Sequence, residues 1–208
     1  MAISSEVQVV VARLDPGPHQ ERALALSLSQ AERSRAARLR FDRERRRFIV
    51  ARGLLRELLA ERLDVPPESI EFVYSREGKP ALAERFARSG WRFNLSHCEE
   101  LAVYAFSRAG EVGVDVEAVH AIDEADAIAA RVFSRREHEA YRAAAPSERP
   151  AAFFRCWTRK EALAKALGAG FSAPPESLDT ARAKRSGWRL ESFLPRPGFI
   201  AALAVQIA

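Results

Sequence analysis

Arg52-Gly-Leu-Leu-Arg-Glu-Leu-Leu-Ala60, followed at 66–70 by Pro-Pro-Glu-Ser-Ile, returns 108 positions later as Lys160-Glu-Ala-Leu-Ala-Lys-Ala-Leu-Gly168, followed at 174–178 by Pro-Pro-Glu-Ser-Leu. The same offset places Leu54, Leu55, Leu58 and Leu59 on Ala162, Leu163, Ala166 and Leu167. Apolar residues at that spacing form one face of a helix, and the first pair of prolines stops it. Downstream, Gly90-Trp91-Arg92 recurs as Gly187-Trp188-Arg189, and Leu101-Ala-Val103 as Leu203-Ala-Val205. The matches keep one order, and the period is too long for a solenoid. The repeat predicts an α+β fold of two similar halves, 1–108 and 109–208, related by a pseudo-twofold. Their interface is then the natural ligand cleft.

Working outward, Val7 to Leu14 reads as a strand closed by Asp15-Pro16-Gly17-Pro18, and Ser29 to Leu63 as continuous helical sequence. Further strands are expected at 70–74, 91–96, 101–107 and 111–117, two helices between Glu124 and Leu167, and closing strands at 188–193 and 200–207.

The 208 residues are 48% apolar, enough for a real core, and carry a net charge of +5. Arginine supplies the excess: Lys79, Lys160, Lys165 and Lys184 are the only lysines. A basic balance favours anionic partners without choosing among them. Cys98 and Cys156 have no metal or redox spacing, the N-terminus lacks a basic leader, and no apolar run is long enough for a membrane span. These features predict a cytoplasmic protein with no membrane association.

Four constellations carry chemistry. In Gly113-Val-Asp-Val-Glu117, Asp115 and Glu117 share one strand face. Two carboxylates a pleat apart suit a hard divalent ion, although a solvated acidic face gives the same pattern. In Trp157-Thr-Arg-Lys-Glu-Ala-Leu-Ala-Lys165, Glu161 and Lys165 lie one turn apart. They could complete a metal shell and grip a phosphate, or form an ordinary surface pair. Phe93-Asn-Leu-Ser-His97 ends a strand with two phosphate donors, Ser96 and His97; alternation faces them oppositely, so His97 is not Ser96's base. Arg76-Glu-Gly-Lys79-Pro80 offers a close backbone approach and cationic charge. The arginines between Arg33 and Arg47 form a solvated helix face or a patch for phosphate or an acidic protein.

In order and spacing these motifs resemble the 4′-phosphopantetheinyl transferases of the larger, Sfp-like class, over most of the chain from about Glu32 to Leu178. The resemblance implies a holo-carrier-protein synthase that moves the phosphopantetheine arm of coenzyme A to a carrier-protein serine and releases 3′,5′-ADP. It implies magnesium, or alternatively manganese, held by Asp115, Glu117 and Glu161. Glu161, Lys165 and His97 are the implied catalytic residues. Arg33, Arg52, Arg76, Gly78, Lys79, Pro80, Asn94, Ser96, His97 and Lys165 are the implied coenzyme A contacts. The N-terminal half would then hold the nucleotide and the C-terminal half the metal. Glu137 matches an acidic position near the metal in some members. The implied partners are coenzyme A and an acidic apo acyl or peptidyl carrier, met by a monomer whose two halves form one cleft. Cys98, where a small hydroxyl residue is frequent, and Phe48, where some members have a polar contact, depart from the pattern.

A basic nucleic-acid- or phosphate-binding module would explain the charge. It leaves the acidic strand and the Glu161–Lys165 turn without a purpose, and no nucleic-acid motif is present. A non-catalytic relative is disfavoured by the intact Asp115, Glu117, Glu161 and Lys165.

Overall fold

The computed structural model describes residues 2–4, 7–168 and 178–207; the second Pro-Pro-Glu-Ser copy at 174–177 lies outside them. Strands β1 (Ala2–Ser4) and β2 (Val7–Arg13) lead into helices α1 (Pro18–Leu26), α2 (Gln30–Ala37) and α3 (Asp42–Leu63). The short hairpin β3 (Phe72–Tyr74) and β4 (Pro80–Leu82) precedes β5 (Arg92–Cys98) and β6 (Leu101–Ser107). The chain then repeats the plan. Strand β7 (Val112–Ala118) is followed by helices α4 (Ala125–Val132), α5 (Arg135–Ala143) and α6 (Arg149–Leu167), then by β8 (Trp188–Phe193) and β9 (Phe199–Gln206).

The sheets make the repeat explicit. The first has strand order β1-β2-β6-β5 and the second β7-β9-β8, so in each half the last strand lies between the first and the middle one. All pairings are antiparallel. Gly90 and Gly187, which begin the recurring Gly-Trp-Arg, both take left-handed backbone, φ 72° and 79°, just before β5 and β8. That conformation costs a side chain but not glycine. Leu101–Val103 and Leu203–Val205 occupy the central strands β6 and β9.

Alternation along the strands assembles the layers. Val7, Val9, Leu101 and Val103 from the first sheet meet Val112, Val114, Leu203 and Val205 from the second, fusing the halves through one apolar core. The outer face of the first sheet packs Tyr104 and Phe106 against Val50, Leu55 and Leu59 of α3. The outer face of the second packs Ala202 and Ala204 against Ala162, Leu163 and Ala166 of α6. The two long helices that share the 108-residue offset thus cover equivalent sheet faces.

Three elements differ from expectation. Pro18 starts α1 instead of closing a loop, because proline suits the first helical position. The helical stretch from Ser29 breaks into α2 and α3 at Arg38–Phe41, where Phe41 is extended (φ −101°, ψ 134°). The region of two expected helices contains three, because Ser134 caps a separate α5. Both breaks serve one device. Ser29 and Glu32 form a reciprocal capping box on α2, as Ser134 and Glu137 do on α5. Glu32 then meets Arg52 (2.9 Å) and Arg56 (2.7 Å) of α3, while Glu137 meets Lys160 (2.8 Å) of α6, all buried.

Burial alone would raise the Glu32 pKa, but the Ser29 N–H and the Arg52 and Arg56 guanidinia outweigh it and hold it below the ordinary carboxylate value. A carboxylate depressed by folding stabilises above its unfolded pKa, and that contribution is lost as pH falls through the folded one. Glu32→Gln, which strands two buried cations, should therefore cost about 3 kcal/mol at neutral pH. The gap from wild type, read in denaturant melts, should close on acidification.

Candidate active site

Three elements from the two halves converge where β5 passes β7 and α6. Ser96 Oγ on β5 donates to Asp115 Oδ1 on β7 at 2.9 Å. Lys165 Nζ on α6 donates to both, at 2.6 Å to Asp115 Oδ1 and 3.0 Å to Ser96 Oγ. Asp115 is 3% exposed, and its other oxygen, Oδ2, is buried with no hydrogen-bond partner. Asn94 Oδ1 on β5 accepts from the Val114 N–H at 2.9 Å, tying the two halves at the same place.

The geometry depends on Gly113. A Cβ there would stand 2.0 Å from the Ala162 carbonyl oxygen and 2.5 Å from the Ala166 nitrogen, so only glycine lets α6 approach β7 this closely. That approach brings Glu161 and Lys165, one turn apart, beside Asp115. Burial and then Asp115 raise the pKa of Glu117; burial and then Asp115 also raise that of Glu161. Burial lifts the Cys98 thiol to about 11, with Glu117 adding to the effect. Asp115 therefore adds to the cost of charging Glu117 and Glu161, and its own buried Oδ2 is unpaired. This hard-oxygen donor set fits a divalent cation in chemistry. Among the described residues no group of three or more His, Cys, Asp or Glu side chains is gathered at metal-binding distances, and the ammonium of Lys165 now occupies the Asp115 edge.

Beside this triangle opens a cleft of about 340 Å³, lined from α2 and α3 by Arg35, Phe48 and Arg52, from the hairpin by Tyr74, Gly78 and Pro80, and on its far side by Ser96, His97 and Lys165. Its charge is basic and its walls are aromatic. Ser96 is buried while His97 is exposed, as strand alternation requires.

Six of the sequence-derived contacts, Arg52, Gly78, Pro80, Ser96, His97 and Lys165, line this cleft. Four do not. Arg33 donates to the Leu28 carbonyl. Arg76 is exposed in the β3–β4 turn. Asn94 is spent on the backbone of β7. Lys79 reaches across the interface to Glu111 Oε2 (3.0 Å) and the Ala166 carbonyl (3.2 Å). Glu137 has both oxygens taken: Oε1 by the Thr180 N–H and hydroxyl, Oε2 by Lys160 and the Ser134 N–H. Its position is that of Glu32 in the repeat, a buttress. Sequence reasoning missed Tyr74, whose hydroxyl accepts from Arg52 Nη2 at 2.8 Å. The aromatic alternation Phe72-Val-Tyr74 was its only signal. The Arg52 guanidinium lies 4.7 Å from the Phe72 ring centroid.

Known proteins resemble this chain in sequence across both halves. The N-terminal 4′-phosphopantetheinyl transferase family matches residues 13–109, and the 4′-phosphopantetheinyl transferase superfamily matches 111–205. The 4′-phosphopantetheinyl transferase HetI of Nostoc sp. is 37% identical over 98% of this chain and 89% of its own. The 4′-phosphopantetheinyl transferase psf-1 of Bacillus pumilus is 34% identical over 77% of this chain and 66% of its own. AcpT of Salmonella typhimurium, a third bearer of that name, is 41% identical over 54% of this chain and 56% of its own. With both halves matched and a relative of that name 37% identical over 98% of the chain, the chain belongs to the 4′-phosphopantetheinyl transferase superfamily and is a transferase.

Proposed function

We propose that the protein transfers the 4′-phosphopantetheine arm of coenzyme A to a serine of an acidic apo acyl or peptidyl carrier protein and releases 3′,5′-ADP, in a Mg2+-dependent reaction. The observation that carries this reading is the Ser96–Asp115–Lys165 triangle at the rim of a basic cleft, with one buried Asp115 oxygen left unpaired.

In this reading the nucleotide enters between α3 and the β3–β4 turn. Arg52 supplies charge to its phosphates and His97 a hydrogen-bond donor, and Gly78 and Pro80 border its base. Lys79 would exchange Glu111 for the 3′-phosphate, drawing the turn closed. Asp115, Glu117 and Glu161 would hold the metal, which neutralises pyrophosphate charge when bound. The carrier serine oxygen attacks the β-phosphorus, forming one P–O bond as the P–O bond to 3′,5′-ADP breaks. The serine proton passes to a carboxylate, for which Glu161 is our candidate. Lys165, already within hydrogen-bonding reach of Asp115 and Ser96, stabilises charge on the transferring group. The arginines of α2 and of the start of α3 attract the acidic carrier. One chain forms its own cleft, which supports a monomer of two units, 1–108 and 109–208. Two free thiols suit the reducing cytoplasm, and no described helix is long and apolar enough to cross a membrane.

Calorimetric titration with coenzyme A tests the binding half of the proposal. With Mg2+ present, Lys165→Ala should weaken binding by about tenfold or more, as for loss of a charge-assisted contact, and chelation should weaken the wild type. Unchanged affinity in both cases would reject the site.

A further inference from the structure

The repeat built a cleft in the second half as well. Two adjoining hollows, about 300 and 220 Å³, share Arg159 and Thr180. At the 108-residue offset, Cys156 and Arg159 of α6 stand where Phe48 and Ala51 of α3 line the basic cleft of the first half. The cations have moved, however. The counterpart of Arg52 is Lys160, which is buried against Glu137, while Ala51 has become Arg159.

Arg159 is half-buried, and burial lowers its pKa. Its guanidinium makes no hydrogen bond or ion pair among the described residues. Arg189, on β8, lines the larger hollow with it. Arg189 Nε lies 3.1 Å from Glu191 Oε1 on the same strand, yet its Nε and Nη2 are buried without a hydrogen bond. Glu137, which borders the smaller hollow, has both oxygens occupied by other donors. Among the described residues, two guanidinia with spare donors thus border a hollow whose lining contains no carboxylate. Half-buried guanidinia with unfilled donors are costly, and their forked donors match a phosphate bidentately. Trp188 forms an apolar wall of the same hollow.

We propose that this hollow is a second anion site, separate from the Asp115 triangle, that takes a phosphate-bearing small molecule on Arg159 and Arg189 against Trp188. The probe is inorganic pyrophosphate, titrated at constant ionic strength into 15N-labelled full-length protein. The chain has three tryptophans, so their indole N–H signals are readily assigned with Trp188→Phe. The Trp188 signal should shift saturably, and Arg159→Gln combined with Arg189→Gln should weaken that titration about tenfold or more. Arg159→Lys should retain part of the affinity. Should the double variant fail to fold, Arg189→Gln alone gives the same readout, because its side chain is 38% exposed. A Trp188 signal that does not move, or one that titrates with unchanged affinity in the folded variants, overturns the proposal.

Discussion

Asp115→Asn should lower kcat by on the order of 10³-fold while leaving the protein folded. Asp115 is the group on which the site converges: it accepts from Ser96 and Lys165, and it raises the pKa of both Glu117 and Glu161. Asparagine keeps the shape and an acceptor for Ser96 but removes the charge. For a residue serving the core, such a change at a 3% exposed position would be destabilising. Here relief of the repulsion on Glu117 and Glu161 offsets the lost Lys165 ion pair, so the melting temperature should hold as activity is lost. Parallel thermal melts and carrier-modification rates check this. A folded variant with near-wild-type turnover would remove Asp115 from the chemistry.

Gly113→Ala should be the most damaging glycine-to-alanine change among the described residues. The added carbon meets backbone atoms of α6 at 2.0 and 2.5 Å, and backbone cannot rotate away as a side chain can. Helix α6 must shift, at about 3 kcal/mol or more of overpacking, and it carries Glu161 and Lys165 with it. Misplacement by about 1 Å is worth on the order of 10²-fold in rate, so stability and kcat should fall together. Gly17→Ala provides the control, since a Cβ at Gly17 meets nothing within 4 Å. Equal effects of the two substitutions on melting and turnover would show that the α6–β7 approach is not the constraint.

The duplicated architecture was legible because it is written locally. The apolar positions of α3 and α6 share one offset, and Gly90 and Gly187 mark the same backbone turn before equivalent strands. The carboxylates of β7 and the Glu161–Lys165 pair were legible from strand and helix spacing. That Ser96, Asp115 and Lys165 meet was not, because packing of one half on the other decides it. For the same reason Lys79, read as a phosphate contact, pairs with Glu111 and the Ala166 carbonyl across the interface in the structure. The break between α2 and α3 escaped because helix propensity favours continuity through the arginines, whereas burying Glu32 between Arg52 and Arg56 requires α2 to turn back. The matching buttress at Glu137 was hidden because the capping boxes recur at an offset of 105 while the long helices recur at 108. Glu137 therefore looked like an isolated acid instead of half of a repeated pair.

Carrier modification is read directly from the mass of a carrier. Purified protein is incubated with coenzyme A, Mg2+ and each of several apo acyl and peptidyl carrier proteins, and the intact carriers are weighed by mass spectrometry. At least one carrier should gain the mass of a single phosphopantetheine arm on its serine, and the gain should disappear with Asp115→Asn. No gain on any carrier, or an undiminished gain with Asp115→Asn, would contradict the proposed transfer.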